Sequence, residues 1–311
     1  MQQNPNFDVF VDVSTRILMN KLLLVDGHNL LFRMFYGMPD YYRTKNGTKY
    51  NAVCGFGSAL ANVISYTRPS HALVLFDTEE CGERRRLDHD YKANRPDYSA
   101  MPADEIPFSQ LPAIYAMLDR IGIPHAEARG CEADDLIASY ALSAGDDFFS
   151  MILSTDRDYW QLIGERVQIV DYRGGACDLV DSAAVERKFG VTPAQFADFK
   201  CLVGDSSDNI TGVPGVGPKT AAALLNQYGS VDGILAHLDE IPRPKVRDAL
   251  EESRERLELN RRLILLSGTS PLPLPHEALT FTPSFSRSIT SLARQMAEET
   301  ENPEPIPEEL P

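Results

Sequence analysis

Four short runs of consecutive apolar residues occur between residues 22 and 170, and stretches with helical periodicity separate the first three. Uninterrupted apolar runs of this length are typical of strands buried on both faces of a parallel sheet. Strands that alternate with helices predict an α/β domain with a mainly parallel sheet flanked by helices. The predicted strands are residues 22–25, 71–76, 151–155 and 167–170, and the predicted helices are residues 52–66, 109–121 and 132–142.

From about residue 192 the pattern changes to helices alone. Thr192-Pro193 is a typical helix start, with threonine as the N-cap and proline in the first turn. Helical patterns cover residues 194–203, 221–227 and 244–266, and no strand pattern remains. The chain is therefore predicted to consist of an N-terminal extension (1–20), an α/β domain (21–188), a helical domain (189–268) and a Pro-rich acidic tail (269–311). The tail is expected to be partly disordered, with some order near residues 288–296.

Composition narrows the class of protein. The 311 residues are 43% hydrophobic and 24% charged, which is typical of a globular protein. Five scattered cysteines without a C-x-x-C pair predict a reduced, cytoplasmic protein and neither a disulfide framework nor a zinc site. No apolar run of about 18 residues predicts a membrane span, and residues 1–20 lack the features of a signal peptide.

The net charge of −15 argues at first sight against a nucleic-acid partner. However, six glutamates in residues 298–309 contribute to this total without any basic residue among them. An acidic total therefore need not mean an acidic binding face. Since the tail would repel DNA, we expect it to contact a protein partner or to aid solubility.

Carboxylates gather where the predicted strands end and where helices begin. Asp26, Asp77 and Asp156 follow three of the apolar runs, and sites in parallel sheets form at the carboxyl ends of the strands. Acidic residues at a helix start are favoured by the helix dipole. The full predicted set is Asp26, Asp77, Glu132, Asp134, Asp135, Asp156, Asp158, Asp205 and Asp208.

Repulsion among these carboxylates calls for a cation. No cysteine, and no histidine at ligand spacing, joins them, and an all-oxygen set selects Mg²⁺ or Mn²⁺ over zinc. Nine carboxylates exceed what one ion needs, so we expect two ions about 4 Å apart. A lone strand-end aspartate is more often a turn residue or a helix cap. Asp171, which lacks an acidic neighbour in the sequence, is left out of the set on this ground.

Two further stretches suit phosphate binding. Residues 83–96 (ERRRLDHDYKANRP) combine basic side chains with an aromatic ring, although a solvated charged loop is an equal alternative.

Glycines and a helix start in residues 212–220 favour phosphate contacts through the backbone. A mononucleotide P-loop is excluded there because Pro218 separates Gly217 from Lys219 and no strand leads into the loop. A helix–hairpin–helix that grips a DNA backbone fits, and the alternative is a plain interhelical turn.

Six ordered blocks within residues 21–266 resemble the 5′-nuclease family of 5′→3′ exonucleases and flap endonucleases. They are LLLVDGHNLLFR, LVLFDT, YKANRP, GCEADDLIA, LSTDRDYWQL and GDSSDNITGVPGVGPKTAA. The resemblance implies a PIN-like or resolvase-like nuclease core with a helix–hairpin–helix domain. It further implies a monomer that uses two Mg²⁺ or Mn²⁺ ions to hydrolyse DNA at 5′ ends, flaps or nicks and leaves 5′-phosphate products.

The resemblance also assigns roles to individual residues. The nine carboxylates match the family's metal site, and residues 80–108 match the helical arch through which a single-stranded 5′ end passes. Some relatives carry a lysine three residues before the arch arginine, and this chain has Cys81 at that position. Arg84 is therefore the first candidate for the catalytic cation, and Arg85 or Arg86 is the reserve. Family members also hold K⁺ at the helix–hairpin–helix. The implied catalytic residues are Arg84, Lys92 and Arg95, and the implied DNA-binding residues are Arg84, Arg85, Tyr91, Lys92, Arg95, Gly215, Gly217, Lys219 and Thr220.

Other functions were weighed against a nuclease acting on DNA. A non-catalytic protein that binds branched DNA would be expected to lack some of the carboxylates. An RNA-directed PIN-type nuclease would lack the helix–hairpin–helix. A small-molecule phosphatase built on Asp156-x-Asp158 would need neither nine carboxylates nor a basic segment. Because only a short tail follows the helical domain, the similarity is expected to be to free-standing nucleases, of either bacterial or phage origin.

Overall fold

The computed structural model describes residues 19–78, 83–98, 101–282 and 286–299. A six-stranded sheet has the order β3-β2-β1-β4-β5-β6, in which β1 to β5 are parallel and β6 is an antiparallel edge strand. This confirms the predicted α/β fold with a mainly parallel sheet. The strands are β1 (Asn20–Asp26), β2 (His71–Asp77), β3 (His125–Ala128), β4 (Phe148–Leu153), β5 (Val167–Arg173) and β6 (Ala176–Val180).

The central strands are apolar on both faces because a hydrophobic core covers each side of the sheet. Along β1, Leu22 and Leu24 face one core, and Leu23 and Val25 face the other. Leu24 lies in register with Leu73 of β2 and with Ile152 of β4. The helices that precede the helical domain are α1 (Gly27–Gly37), α2 (Asn51–Thr67), α3 (Glu83–Leu87), α4 (Leu111–Ile121), α5 (Ala133–Ser143) and α6 (Ser182–Phe189).

The sequence did not predict two strands of the six-stranded sheet, β3 and β6. β3 contains half-exposed polar residues, and half-buried and exposed positions alternate only weakly along β6, so neither strand forms an apolar run. Because β6 pairs with it, β5 continues past the predicted end, and Asp171 lies inside the strand opposite Asp178. The prediction that β5 ends at Asp171 was therefore wrong.

The second region is mainly helical, with α7 (Phe196–Val203), α8 (Pro218–Tyr228), α9 (Val231–Ala236), α10 (Pro244–Glu252) and α11 (Arg254–Ile264). Two features differ from the prediction. A short antiparallel pair, β7 (Gly204–Asp205) and β8 (Ile210–Thr211), lies within it. The helical pattern of residues 244–266 also divides into two helices at Ser253, whose ψ of 7° departs from helical geometry.

Residues beyond 268 return to the α/β domain. Helix α12 (Ser286–Glu299) buries Ile289 and Ala293, both close to Gly57 of α2, and Glu299 forms an ion pair with Arg120 of α4. Much of the region assigned to a tail thus completes one of the two cores. Residues 1–18 of the predicted extension (1–20) and the acidic end (300–311) lie outside the described residues, and Asn20 already belongs to β1. Within the described residues, no helix has the length and apolarity to cross a membrane.

Candidate functional site

The carboxyl ends of β1, β2 and β4 bring three aspartates to one edge of the sheet. Asp26 ends β1 and caps α1, accepting a hydrogen bond from the Asn29 backbone N–H at 3.0 Å. Asp77 ends β2 and accepts one from the Ala133 N–H at 2.7 Å, which fixes the start of α5. Gly27 is required here, because a Cβ would lie 2.4 Å from the Phe76 ring. Asp156 follows β4 and caps a 3₁₀ turn, Arg157–Leu162.

Glu132, Asp134 and Asp135 form what we call the first carboxylate group, at the N-terminus of α5. Arg84 of α3 is buried among them, with Nη1 3.0 Å from a Glu132 oxygen and 3.1 Å from an Asp134 oxygen. Its Nη2 lies 2.8 Å from an Asp135 oxygen. Lys92 Nζ adds a contact of 2.7 Å to Glu132. Two cations of residues 83–96, which we call the basic segment, therefore offset part of the negative charge of the first group.

Asp158, Asp205 and Asp208 form the second carboxylate group. One oxygen from each lies within 4.8 Å of the others, which is a spacing that can hold a metal ion. Lys200 of α7, which the sequence analysis missed, forms ion pairs with both Asp158 and Asp205. Arg95 contacts Asp208 at 3.1 Å. The second group thus combines residues of the α/β domain, the basic segment and the helical domain.

The remaining aspartates connect the two groups electrostatically. Burial raises the pKa of Asp26 to about 7, and the charges of Asp77 and Asp156 add to the rise. Burial likewise raises the pKa of Asp156 to about 6, with Lys200 opposing the rise and Asp208 and Asp134 adding to it. Within the first group, burial and the Asp134 charge raise the pKa of Asp135 to about 6. The nine carboxylates therefore form one cluster in which negative charge is crowded.

Hydrogen bonds orient the aspartates of the sheet edge. Tyr159 and Ser154 both donate to Asp26 Oδ2, at 3.2 and 3.0 Å. His28 Nδ1 accepts from the Asp77 N–H at 3.0 Å and lies 3.5 Å from the Asp77 carboxylate. Although burial acts to raise it, the pKa of Asp77 is lowered by His28 and by the Ala133 N–H. His28 and Tyr159 were not singled out from the sequence, although both lie in the blocks that carry the resemblance.

The basic segment is bonded to the loop between β7 and β8. The Lys92 N–H donates to the Asp208 carbonyl at 3.0 Å, and Asn209 donates to the Asp90 carbonyl at 2.8 Å. Lys92 and Asn209 both have positive φ values, 56° and 59°, which are uncommon for residues other than glycine. Tyr91 is buried, and its hydroxyl donates to Glu132 at 3.4 Å. The segment thus joins the two domains beside the carboxylates.

Other predicted site residues lie apart from this cluster. Arg85 is exposed on α3. Gly215 has a φ of 75°, and Gly217 is the N-cap of α8, so Lys219 and Thr220 lie in the first helical turn. Lys219 is exposed there. Cys81 lies outside the described residues.

The donor set fits a divalent metal ion. Carboxylate oxygens are the ligands that Mg²⁺ and Mn²⁺ prefer, and the second group has the spacing required. Burial raises the pKa values of Asp26, Asp135 and Asp156, and the charges of neighbouring carboxylates add to the rise. A divalent cation bound beside them would favour their charged forms.

Two family models cover most of the described chain. One, described as the N-terminal resolvase-like domain of 5′-3′ exonuclease, matches residues 21–190. The other, the C-terminal SAM fold of 5′-3′ exonuclease, matches residues 191–286. The helical domain predicted from the sequence therefore corresponds to a recognised domain type.

Known proteins and solved structures agree with these models. DNA polymerase I of Bacillus caldotenax is 33% identical over 279 residues, which cover 89% of this chain and 31% of that protein. DNA polymerase I of Mycobacterium bovis is 37% identical over 266 residues, which cover 84% and 29%. The chain thus spans less than a third of the length of these relatives.

The flap endonuclease of bacteriophage T5, solved in a pseudo-enzyme–product complex with DNA and metal ions, shares the fold. The TM-score is 0.66 at 21% identity, with 89% of this chain and 98% of that chain covered. The first family model alone matches more than half of the chain. The chain therefore belongs to the 5′-3′ exonuclease family of nucleases, as the resemblance in its sequence predicted.

Proposed function

We propose that the protein is a divalent-metal-dependent nuclease that hydrolyses DNA phosphodiesters at 5′ ends, flaps or nicks. The observation that carries this proposal is the gathering of carboxylates from one sheet edge, from the start of α5 and from the β7–β8 region, beside a basic segment. The T5 enzyme solved with DNA and metal ions supports the same assignment.

The carboxylates are proposed to hold two ions, Mg²⁺ or Mn²⁺, with Asp156 between the first and second groups. Bound ions would supply the positive charge that stabilises the reacting phosphate and lowers the pKa of an attacking water. Asp26 and Asp77 orient the edge through the hydrogen bonds at the starts of α1 and α5. Hydrolysis would leave a 5′-phosphate and a 3′-hydroxyl.

The cations around the carboxylates are proposed to bind the substrate. Arg95 is half exposed while it contacts Asp208, so its guanidinium can also reach a phosphate. Arg84 and Lys92 lie deeper, within the first group, where they oppose charge beside the scissile bond. Lys219 and the N–H groups at the start of α8 would hold the backbone of the duplex, where a K⁺ is also expected.

The proposal also covers the oligomeric state, the location and the acidic end of the protein. The protein is proposed to act as a cytoplasmic monomer, with the acidic end available to a protein partner.

The test uses a 5′-labelled DNA flap on a duplex, with Mg²⁺ and with excess chelator. We expect cleavage with Mg²⁺ and none with the chelator. Nicked and gapped duplexes in parallel measure the balance of exonuclease to flap cleavage, and a matched ribo-flap measures the preference for DNA. No Mg²⁺-dependent cleavage by pure protein would contradict the proposal, and faster cleavage of the ribo-flap would contradict a DNA substrate.

A further inference from the structure

Lys200 is a lysine in an otherwise core-facing part of α7. Its side chain is 9% exposed, and Phe199 and Cys201 on either side of it are buried. The helix is held in place by Asn260, which donates to the Cys201 carbonyl at 3.0 Å, and by Asp198, which accepts from the Val231 N–H at 2.9 Å. The backbone from which Lys200 projects is therefore fixed by the helical domain.

The ammonium group of Lys200 contacts the same carboxylates that are spaced for a metal ion. It pairs with Asp158 and Asp205, two of the three members of the second group. A buried lysine is costly unless it is paired, and these two carboxylates supply its pairing. A divalent ion at this group would bind oxygens of the same side chains, a few ångströms from the ammonium charge.

We propose that Lys200 is a built-in counter-ion that competes with a divalent metal ion for Asp158 and Asp205. It holds the two carboxylates together in the metal-free protein, and it sets the metal concentration at which the second group fills. When the ion binds, the four-carbon stem lets the ammonium withdraw, or the ion binds against its repulsion. The inference rests on the metal dependence in the proposed function.

The ion pairs of Lys200 are with the second group, and the first group has cations of its own. Its cations, Arg84 and Lys92, come from the basic segment, which also carries phosphate-binding candidates. Lys200 belongs to a packed helix of the other domain, and no phosphate contact is needed to explain its position. Changing Lys200 should therefore alter one class of metal site and leave the other unchanged.

The test measures Mn²⁺ binding to the full chain by calorimetry, with free Mn²⁺ followed by electron paramagnetic resonance. In Lys200→Met, we expect one of the two Mn²⁺ sites to bind about tenfold more tightly, because a positive charge near the second group has been removed. In Lys200→Arg, we expect weaker binding than in wild type, since the forked guanidinium grips carboxylates bidentately and stays charged. Lys188→Met is the matched control: Lys188 lies over the Trp160 ring, and its loss should change neither site.

With two variants of Lys200, the test remains decisive even if one of them does not fold. Circular dichroism with Mn²⁺ present shows whether Lys200→Met is folded, and if it is not, Lys200→Arg decides alone. Equal or weaker Mn²⁺ binding by folded Lys200→Met would overturn the inference, as would unchanged binding by Lys200→Arg. Absence of Mn²⁺ binding by the wild-type protein would instead overturn the proposed function, so the two failures are distinguishable.

Discussion

The two carboxylate groups have the same size but are assembled in different ways. The first group lies on one helix start, and its cations arrive from the basic segment. The second group takes Asp158 from the 3₁₀ turn after β4, and Asp205 and Asp208 from the β7–β8 region. The geometry of the first group therefore depends on local structure, whereas that of the second depends on how the two domains pack.

This difference shows why a single edge of a sheet is insufficient for the complete site. A parallel sheet brings Asp26, Asp77 and Asp156 together through its topology alone. The second group closes only when α7 and the 3₁₀ turn are in contact, which the ion pair of Lys200 with Asp158 reports directly. Changes in domain packing should consequently affect the second group before the first.

The largest effect is expected from Asp156→Asn, because Asp156 interacts with carboxylates of both groups. We expect cleavage of a labelled flap to fall on the order of a thousandfold, since a carboxylate proposed to hold the metal ions is lost. Binding of the same flap, measured by fluorescence anisotropy, should remain nearly unchanged.

The matched control is Asp171→Asn on β5, where Asp171 forms an ion pair with the exposed Arg173. Its cleavage rate should stay close to wild type. Near-normal turnover by Asp156→Asn would remove Asp156 from the metal site and break the link between the groups.

An intermediate effect is expected from Asn260→Ala, which tests whether the second group depends on packing within the helical domain that supplies Asp205 and Asp208. Asn260 is fully buried and donates to the carbonyls of Cys201 and Thr211 at 3.0 and 2.9 Å. Leaving those acceptors unpaired should lower the free energy of unfolding in urea by about 2–3 kcal/mol. It should also weaken Mn²⁺ binding at the second group more than at the first.

Asn226→Ala provides the comparison, since the exposed Asn226 makes one bond, to the Gly190 carbonyl. A change within about 0.5 kcal/mol is expected there. If Asn260→Ala weakened both metal sites equally, the proposed dependence of the second group on packing within the helical domain would be wrong.

The smallest effect is a pH dependence of stability in the presence of chelator. The pKa of Asp26 is about 7 in the folded protein, against a usual value of 3.8, so the folded state binds its proton more tightly than the unfolded state. The stability from this proton is fully present below pH 3.8 and is lost as the pH rises through about 7. Asp135 and Asp156, with pKa values of about 6, act in the same direction.

We therefore expect the chelated protein to lose stability as the pH rises from about 4 to about 7, and added Mg²⁺ to reduce the loss. Thermal unfolding of wild type and Asp26→Asn across this range isolates the contribution of Asp26. The variant should show a shallower decline, because asparagine does not titrate. A steeper decline in the variant would contradict the assignment.

The sequence predicted those parts of the molecule that depend on local pattern. β1, β2 and β4 are continuous apolar runs, and the strand-end aspartates follow from them. β3 and β6 were missed because edge strands bury little and therefore carry no apolar run. The residue roles inferred from the resemblance, including those of Arg84 and Lys219, stay predictions.

Lys200 could not be assigned from the sequence, because its partners are 42 and 5 residues away and meet it only through tertiary packing. One signal was available: it is a lone cation in a helix whose other residues are mostly apolar, FADFKCLV. A lysine there either reaches the surface or finds a buried partner. The positions of His28 and Tyr159 carried no comparable signal.

The packing of α12 against α2 has a practical consequence for shortened versions of the protein. A fragment ending at residue 268 would contain both groups of carboxylates but would uncover the surface of α2 around Gly57, which Ile289 and Ala293 now occupy. Freshly uncovered apolar surface promotes aggregation. Expression fragments intended for crystallisation or for binding studies should therefore extend through residue 299.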